Sequence, residues 1–212
     1  MAQESRDSTE TNEIRLFSKW SFSGIKIRDP SLKAYINLRP IITPHTGGKW
    51  QKKMFGRGKY NIVELFVNKL MVTGHSKAGK KHVFTSGRNT GKKMMVLSHV
   101  ESAFSAIEKK TRQNPIQILI RAVENSAPRM EITTVEYGGM RTPVAVDASP
   151  LRRLSLAMSF LTKGAARKAN LKKTTLTQAI AQELIAAASN DSSASFAVDR
   201  KTMMEKQAEA SR

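Results

Sequence analysis

The 212-residue sequence contains no cysteine, no long apolar run and few acidic residues. Without cysteine, the chain has neither disulfides nor thiolate metal sites, and its folding does not depend on the redox state of its compartment. No segment approaches the roughly eighteen consecutive apolar residues of a membrane-spanning helix, so we expect no membrane partner. The first thirteen residues hold four acids and one arginine, which is unlike a signal peptide and predicts a disordered acidic tail at 1–13.

The shortage of acids leaves a large positive charge. Lys and Arg number 36 against 17 Asp and Glu, so the net charge is +19. Residues 49–93 hold twelve basic residues and one acid, Glu64, and residues 150–173 hold seven basic residues and no acid. A charge run is often only a solvated face, but like charges repel, and a run with almost no counter-charge favours phosphate binding. These blocks predict a cytoplasmic nucleic-acid-binding protein.

Hydrophobic spacing predicts a mainly α protein, formed by a single domain of about six helices with one projecting β-hairpin and a basic N-terminal arm. The arm, at 14–59, mixes apolar anchors with turn residues and ends in the basic, glycine-rich stretch HTGGKWQKKMFGRGK. The helical domain occupies 60–212 and carries the hairpin at 130–147. At 74–93, between its first two helices, we expect a second Gly/Lys-rich loop.

Apolar stripes and capping signals place the helices. The first helix is predicted from the spacing of Ile62, Val63, Phe66, Val67, Leu70 and Met71. Asn114-Pro115 and Ser149-Pro150 each combine an N-cap residue with proline at the first helical position. Thr175 and Gln178 have the spacing of a capping box and predict the start of another helix.

The hairpin is predicted from MEITTVEYGGMRTPVAVD at 130–147, which alternates around Gly138-Gly139. A two-residue turn there fixes the register as Tyr137 with Met140, Glu136 with Arg141 and Val135 with Thr142. Because an isolated hairpin is marginal in water, it either packs wholly on its own helices or is held out by a bound body. It holds Arg141 against three acids, so we expect a steric finger that contacts its partners by shape.

Catalytic and metal-binding patterns are not found. GRNTGKK at 87–93 resembles a phosphate-binding P-loop, but it has three residues between its glycines where the motif has four. Lys93 also stands where that motif needs Ser or Thr to reach magnesium. The four histidines have no ligand spacing, and the acids form no pair for acid–base chemistry. We therefore expect no metal, no cofactor and no enzymatic activity.

Several motifs resemble a known family. They are KWSFSGIKIRDPSLKAYINL (19–38), PHTGGKWQKKMFGRGK (44–59), NIVELFVNKLM (61–71), TRQNPIQILIRAVENSAPR (111–129), VEYGGMRTPVAVDASPLRR (135–153) and MMEKQAEASR (203–212). Together they resemble the small-subunit ribosomal protein seven family in its archaeal and eukaryotic form, over nearly everything after residue 13. The resemblance implies six helices with a hairpin between the third and fourth. It implies a primary rRNA-binding protein that nucleates the subunit head, beside neighbouring ribosomal proteins, with its hairpin near mRNA and the exit-site tRNA.

The resemblance also assigns residues. It matches the basic segment before the first helix, the paired arginines that open the fourth helix, and that helix's basic end. With further residues of the two charge blocks, the predicted rRNA-binding residues are Lys49, Lys52, Lys53, Arg57, Lys59, Lys77, Lys80, Lys81, Arg88, Lys92, Lys93, Arg152, Arg153, Arg167, Lys168, Lys172 and Lys173. The predicted hairpin tip near mRNA and tRNA is Tyr137, Gly138, Gly139, Met140 and Arg141.

Alternatives remain open on the residues alone. Arg152 and Arg153 lie in a helix's first turn, where they either share a phosphate with exposed N–H groups or form intraprotein ion pairs. Each of Trp50, Phe55, Tyr60 and Phe84 either stacks on a base or anchors its loop on the core. A free-standing regulator, acting as a DNA-binding helical domain or an mRNA repressor, also fits the charge. So does an assembly protein whose hairpin never touches mRNA or tRNA.

Overall fold

The structure is a computed structural model that describes residues 14–73, 75–78, 81–85, 87–170 and 174–211. For 75–78, 81–85 and Tyr137 it describes the backbone. The predicted tail at 1–13 lies outside the described residues.

The helices of the described chain are α1 (Pro30–Lys33), α2 (Ile62–Leu70), α3 (Lys93–Thr111), α4 (Pro115–Ser126), α5 (Pro150–Ala169), α6 (Leu176–Ala188) and α7 (Phe196–Glu209). Six of these have nine or more residues, which confirms the predicted mainly α fold.

The predicted helix starts are confirmed at their caps. The side chain of Asn114 accepts a hydrogen bond from the backbone N–H of Ile116 at 3.0 Å, and proline follows at the first helical position of α4. Thr175 Oγ1 accepts from the N–H of Gln178 at the start of α6. Ser149 is the N-cap residue of α5, but its side chain makes no capping bond.

The apolar stripes meet in one core. Five of the six residues predicted for the inner face of α2 are buried, and Met71 is half-buried at its end. The largest fully buried side chains come from the arm and from α2 to α5: Leu16, Leu32, Ile62, Phe66, Leu70, Phe104, Ile107, Ile116, Leu119, Ile120, Met158 and Leu161. Within the described chain, no helix is long and apolar enough to cross a membrane.

The N-terminal arm packs against α3 and α4 and does not project from them. Trp20 is 4% exposed, and its indole N–H donates to Glu108 at 3.0 Å. The backbone N–H of Lys26 donates to Gln117, whose amide in turn donates to the carbonyl of Lys26. Glu124 accepts from the backbone of Arg28 at 2.6 Å. Side chains of the helices thus provide hydrogen bonds for an arm that has almost no secondary structure of its own.

The hairpin between α4 and α5 has the predicted register. Strands β3 (Met130–Tyr137) and β4 (Met140–Asp147) are antiparallel, with Tyr137 opposite Met140 and Val135 opposite Thr142. The base is fixed by the N–H of Arg129, which donates to Glu205 of α7. From Ile132 to Val144 the described side chains are exposed, so the hairpin does not pack wholly on its own helices.

A second hairpin corrects the prediction of a loop at 74–93. Its strands come earlier in the chain than β3 and are β1 (His75–Ala78) and β2 (Lys81–Thr85). They pair antiparallel, with a register shift between Ser76 and Lys77. The sequence here is rich in lysine and glycine and lacks the apolar alternation that predicts a half-buried strand. Backbone pairing therefore formed where side-chain patterning gave no signal.

Helices α5 and α6 approach each other closely at Gly164. A Cβ added to Gly164 would lie 2.6 Å from Oε1 of Glu183, a side chain that is fully buried. That carboxylate accepts from Ser195 Oγ at 2.9 Å and from the N–H of Ala197 at 3.1 Å. Lys168 Nζ lies 2.7 Å from its other oxygen. The carboxylate is therefore held from several sides and has little freedom to move away.

We expect Gly164→Ala to lower the free energy of unfolding by up to about 2 kcal/mol. Overpacking typically costs about 1–3 kcal/mol, and the better helix propensity of alanine returns about 1 kcal/mol. Denaturant unfolding would measure the change, with Gly87→Ala as the matched control because no atom lies within 4 Å of a Cβ added there. Equal stability of the two variants would contradict the close approach.

Candidate nucleic-acid interface

The segment 45–59, here called the lysine loop, surrounds one aromatic ring with cations. The Nζ atoms of Lys49, Lys53 and Lys59 lie 5.6, 5.5 and 5.1 Å from the ring centroid of Trp50. Each ammonium group is attracted by the negative face of the ring, but the ring does not neutralise its charge. The three lysine side chains are exposed, so their charges remain available to an anion.

The loop backbone is a series of turns closed on Trp50. The carbonyl of Trp50 accepts from the N–H of Lys53 at 3.3 Å, and the carbonyl of Lys53 accepts from Gly56 at 3.0 Å. A Cβ at residue 56 would lie 1.9 Å from the Trp50 carbonyl oxygen, so only glycine fits there. A single 3₁₀ turn, Gly56–Lys59, follows, and the carbonyl of Lys59 accepts from Asn37 in the arm. The lysines are therefore carried on a defined backbone.

A buried carboxylate ties the loop to two helices. Glu64 of α2 is fully buried and accepts from both the N–H and the hydroxyl of Thr46, at 3.0 and 2.9 Å. Lys93, at the start of α3, donates to the same oxygen at 2.7 Å. Lys93 was predicted to bind rRNA, but its ammonium group is occupied by Glu64.

Lys69 of α2 lies close enough to Arg57 of the loop and to Lys163 of α5 to be repelled by both charges. Burial lowers the pKa of Lys69, and the nearby charges of Arg57 and Lys163 lower it further. These residues come from the 3₁₀ turn, from α2 and from α5, which packs against α2. Lys69 and Lys163 were not among the predicted contacts, although both lie within the two basic blocks. The lowered pKa of Lys69 thus reflects its burial first and the repulsion by these two cations second.

The paired arginines that open α5 have different surroundings. Arg152 is exposed and binds Glu131 at the base of the hairpin, with Nε 3.0 Å from Oε1 and Nη2 3.0 Å from Oε2. Arg153 is only 7% exposed. Its guanidinium donates to the carbonyl of Pro128 at 3.2 Å, to the Ser31 hydroxyl, and to Asp29 Oδ2 at 2.7 Å.

For Arg153, the alternative of an intraprotein ion pair is therefore the one found. Its cation joins the arm, the segment before the hairpin and the first turn of α5. Burial raises the pKa of Asp29, but the hydrogen bonds from Ser31 and Arg153 outweigh it, so the pKa lies below its ordinary value of 3.8. The local sequence gave no sign of this, since Asp29 precedes Arg153 by 124 positions.

The basic end of α5 is also partly occupied. The guanidinium of Arg167 lies 4.2 Å from the ring centroid of Phe196. Lys168 donates to the carbonyl of Ala194 at 2.6 Å and pairs with the buried Glu183. Both side chains are half-buried and join α5 to the start of α7.

The remaining predicted contacts fall outside these groups. Lys52 is exposed on the lysine loop, and Arg88 and Lys92 are exposed before α3. Lys77 and Lys81 lie in strands β1 and β2, and their side chains are outside the described part of the structure. Lys80, Lys172 and Lys173 lie outside the described residues altogether.

The tip of the β3–β4 hairpin is exposed and has little net charge. Met140 is 71% exposed and Val135 is 43% exposed. Arg141, the basic residue predicted at the tip, lies with its Nε 3.4 Å from Glu136 on the opposite strand. The side chain of Tyr137 lies outside the described part of the structure. The tip thus offers shape and apolar surface to a partner.

Within the described chain, no group of His, Asp and Glu side chains is placed to hold a metal ion. His45 accepts a hydrogen bond from the N–H of Gly47 at 3.2 Å, and His99 lies 3.3 Å from the hydroxyl of Thr177. Both histidines therefore have structural neighbours.

Comparisons with known proteins give one consistent result. The model of the family described as ribosomal protein S7p/S5e matches residues 32–212. The chain is 43% identical to small ribosomal subunit protein uS7 of Nanoarchaeum equitans over 200 residues, covering 94% of this chain and all of the relative. It is 42% identical to the protein of the same name in Methanococcus vannielii over 203 residues, covering 96% of this chain and 98% of the relative.

We expect Asp29→Asn to destabilise the chain at neutral pH by about 1–3 kcal/mol, because Arg153 loses a charged hydrogen-bond partner. A carboxyl whose folded pKa is lowered contributes stability above its unfolded pKa, and that contribution is lost as pH falls through the folded pKa. Urea unfolding should therefore show a difference in the free energy of unfolding between wild type and variant, and this difference should decrease below about pH 3.8. Asp147→Asn, at an exposed position, is the control. If the difference in the free energy of unfolding stayed constant as the pH fell, the Asp29–Arg153 ion pair would not be its cause.

Proposed function

Because the chain belongs to the ribosomal protein S7p/S5e family, we propose that it is a structural protein of the small ribosomal subunit that binds the rRNA of the subunit head. Family membership and near-complete coverage of two relatives named small ribosomal subunit protein uS7 support this role. The family is one of ribosomal proteins, in agreement with the expectation that the chain is not an enzyme. We place the protein on cytoplasmic ribosomes, next to other small-subunit proteins.

The observation that carries the rRNA proposal is the unneutralised charge of the lysine loop. Among the described residues, the ion pairs involve Lys19, Lys93, Arg141, Arg152, Arg153 and Lys168, and none involves a cation of the loop. Lys49, Lys52, Lys53 and Lys59 are all exposed on the turns of the loop, and three of them surround Trp50. A nucleic-acid backbone supplies phosphates at the density that such a surface requires.

We further propose that this contact is a primary one, made early enough to nucleate assembly of the head. The loop is held by Asn37, Glu64 and the Trp50 carbonyl, so its shape does not depend on the RNA. A preformed cationic surface loses little conformational entropy on binding. Arg57, Lys69 and Lys163 add positive charge next to this surface, since the first and third both repel Lys69.

The hairpin has a different role in this proposal. It projects from α4 and α5, is anchored at its base by Glu205 and Arg152, and has an exposed tip with little net charge. Such an element contributes little to salt-dependent RNA affinity. We propose that it contacts mRNA and the exit-site tRNA by shape, as a finger held out by the rRNA-bound body.

One experiment separates this role from a free-standing regulator, which would bind a discrete operator or mRNA site away from ribosomes. The endogenous protein should co-sediment with the small subunit in a one-to-one ratio, and footprinting should show protected rRNA in the head. A protein that remains in the free fraction, with no protection of head rRNA, would contradict the proposal.

Replacing Lys52 and Lys53 with alanine should weaken binding to head rRNA and reduce its salt dependence. Each phosphate that is no longer neutralised should flatten the plot of log K against log salt by roughly 0.7–0.9. Filter binding across a salt series would measure this slope. The control is the Lys109→Ala and Lys110→Ala double variant, which removes two exposed lysines from the last turn of α3. Equal slopes for the two double variants would refute the assigned surface.

Shortening the hairpin tests its separate role. Deletion of Glu136, Tyr137, Met140 and Arg141 removes two paired rungs and leaves Gly138-Gly139 to close Val135 against Thr142. Because two residues leave each strand, the remaining side chains keep their faces. Subunits containing this variant should assemble normally but hold exit-site tRNA differently, as measured by tRNA retention and reading-frame maintenance. A failure of head assembly would contradict the finger role.

A further inference from the structure

The tip of the lysine loop carries the two most exposed of the large apolar side chains that the structure describes. Met54 is 86% exposed and Phe55 is 75% exposed. Apolar side chains of this size usually anchor a loop on the core, as Tyr60 does at 7% exposure in the same segment. The exposure of the Phe55 ring therefore points to a binding partner outside the chain.

The backbone holds Phe55 in this position. Its φ of 55° lies in the left-handed region, which a residue with a side chain rarely adopts. The turn that imposes this conformation is fixed on both sides: Gly56 packs under the Trp50 carbonyl, and the N–H of Gly58 donates to the carbonyl of Phe55 at 3.2 Å. The aromatic ring is therefore presented outward by a constrained backbone, a conformation that functional sites often retain.

The surroundings of Phe55 define the chemistry of its partner. Lys52, Lys53 and Arg57 flank it in the sequence and are exposed, and Trp50 is half-buried among three lysines. A purely apolar pocket on a protein would match the ring but leave the cations without counter-charge. A nucleotide matches both, since its phosphate pairs with the cations and its base has a flat face for the ring.

We propose that Phe55 stacks on an unpaired base of the rRNA, so that the lysine loop recognises a single-stranded junction as well as phosphates. The base must be unpaired because bases within an RNA helix are already stacked and their major-groove edges are out of reach. This inference rests on the proposed rRNA-binding function. It resolves, for Phe55, the choice between stacking on a base and anchoring on the core.

The test compares two substitutions that keep a large side chain at the strained position. Phe55→Tyr retains a flat ring, whereas Phe55→Leu retains apolar surface without one. Binding of the full chain to a transcript of the head rRNA should weaken roughly 5- to 100-fold for Phe55→Leu and about twofold or less for Phe55→Tyr. The slope against salt should be the same for both, because neither substitution removes a cation that pairs with a phosphate. Val72→Ala, at an equally exposed apolar side chain, should bind as wild type does.

Chemical probing of the same complexes identifies the base. One unpaired base should be protected by the wild type and by Phe55→Tyr and become reactive with Phe55→Leu. If the wild type binds and Phe55→Leu gives equal affinity and the same protections, the stacking inference is wrong while the proposed function stands. If Phe55→Leu binds rRNA normally but loses a neighbouring ribosomal protein from assembled subunits, the partner of Phe55 is a protein and the inference is overturned. If the wild type does not bind head rRNA, the proposed function itself fails.

Discussion

Repulsion among an excess of cations is the constraint on which the arrangement of this molecule depends. Two of the acids that the structure describes are fully buried, and each binds a cation near the core: Glu64 holds Lys93 and Glu183 holds Lys168, each at 2.7 Å. Buried pairs of this kind contribute little net stability, but they specify position. Among the described residues, the cations of the lysine loop form no such ion pair, and in the proposed function a phosphate backbone neutralises them.

The sequence predicted those parts of the fold whose signals are local. Helix α4 begins at Asn114-Pro115 because both the cap and the proline act within one turn, and the β3–β4 register follows from a two-residue turn. The second hairpin was missed because strands rich in lysine and glycine give no apolar alternation. Backbone pairing joins His75–Ala78 to Lys81–Thr85, and side-chain periodicity does not reveal such pairing.

Charge counting predicted a binding surface but could not assign the surroundings of its individual side chains. Arg152 and Arg153 look equivalent in the sequence, yet one is exposed and the other is buried against Asp29. Lys69 and Lys163 were overlooked because the helices that bring them together are far apart in the chain. A residue's orientation within a helix follows from periodicity, whereas its partner on another element follows from tertiary packing. Only the orientation within the helix can be deduced from neighbouring positions in the sequence.

Because the arm packs against helices that come later in the chain, it can dock on them only after they have been synthesised. Its partners lie far downstream: Glu108 is 88 positions after Trp20, and Arg153 is 124 positions after Asp29. At roughly 5–20 residues per second, the arm waits on the order of 5–25 s after its own synthesis before these side chains exist. Throughout that interval its apolar anchors are uncovered beside its positive charges. The arm therefore cannot take its final position until the residues that hold it have been synthesised.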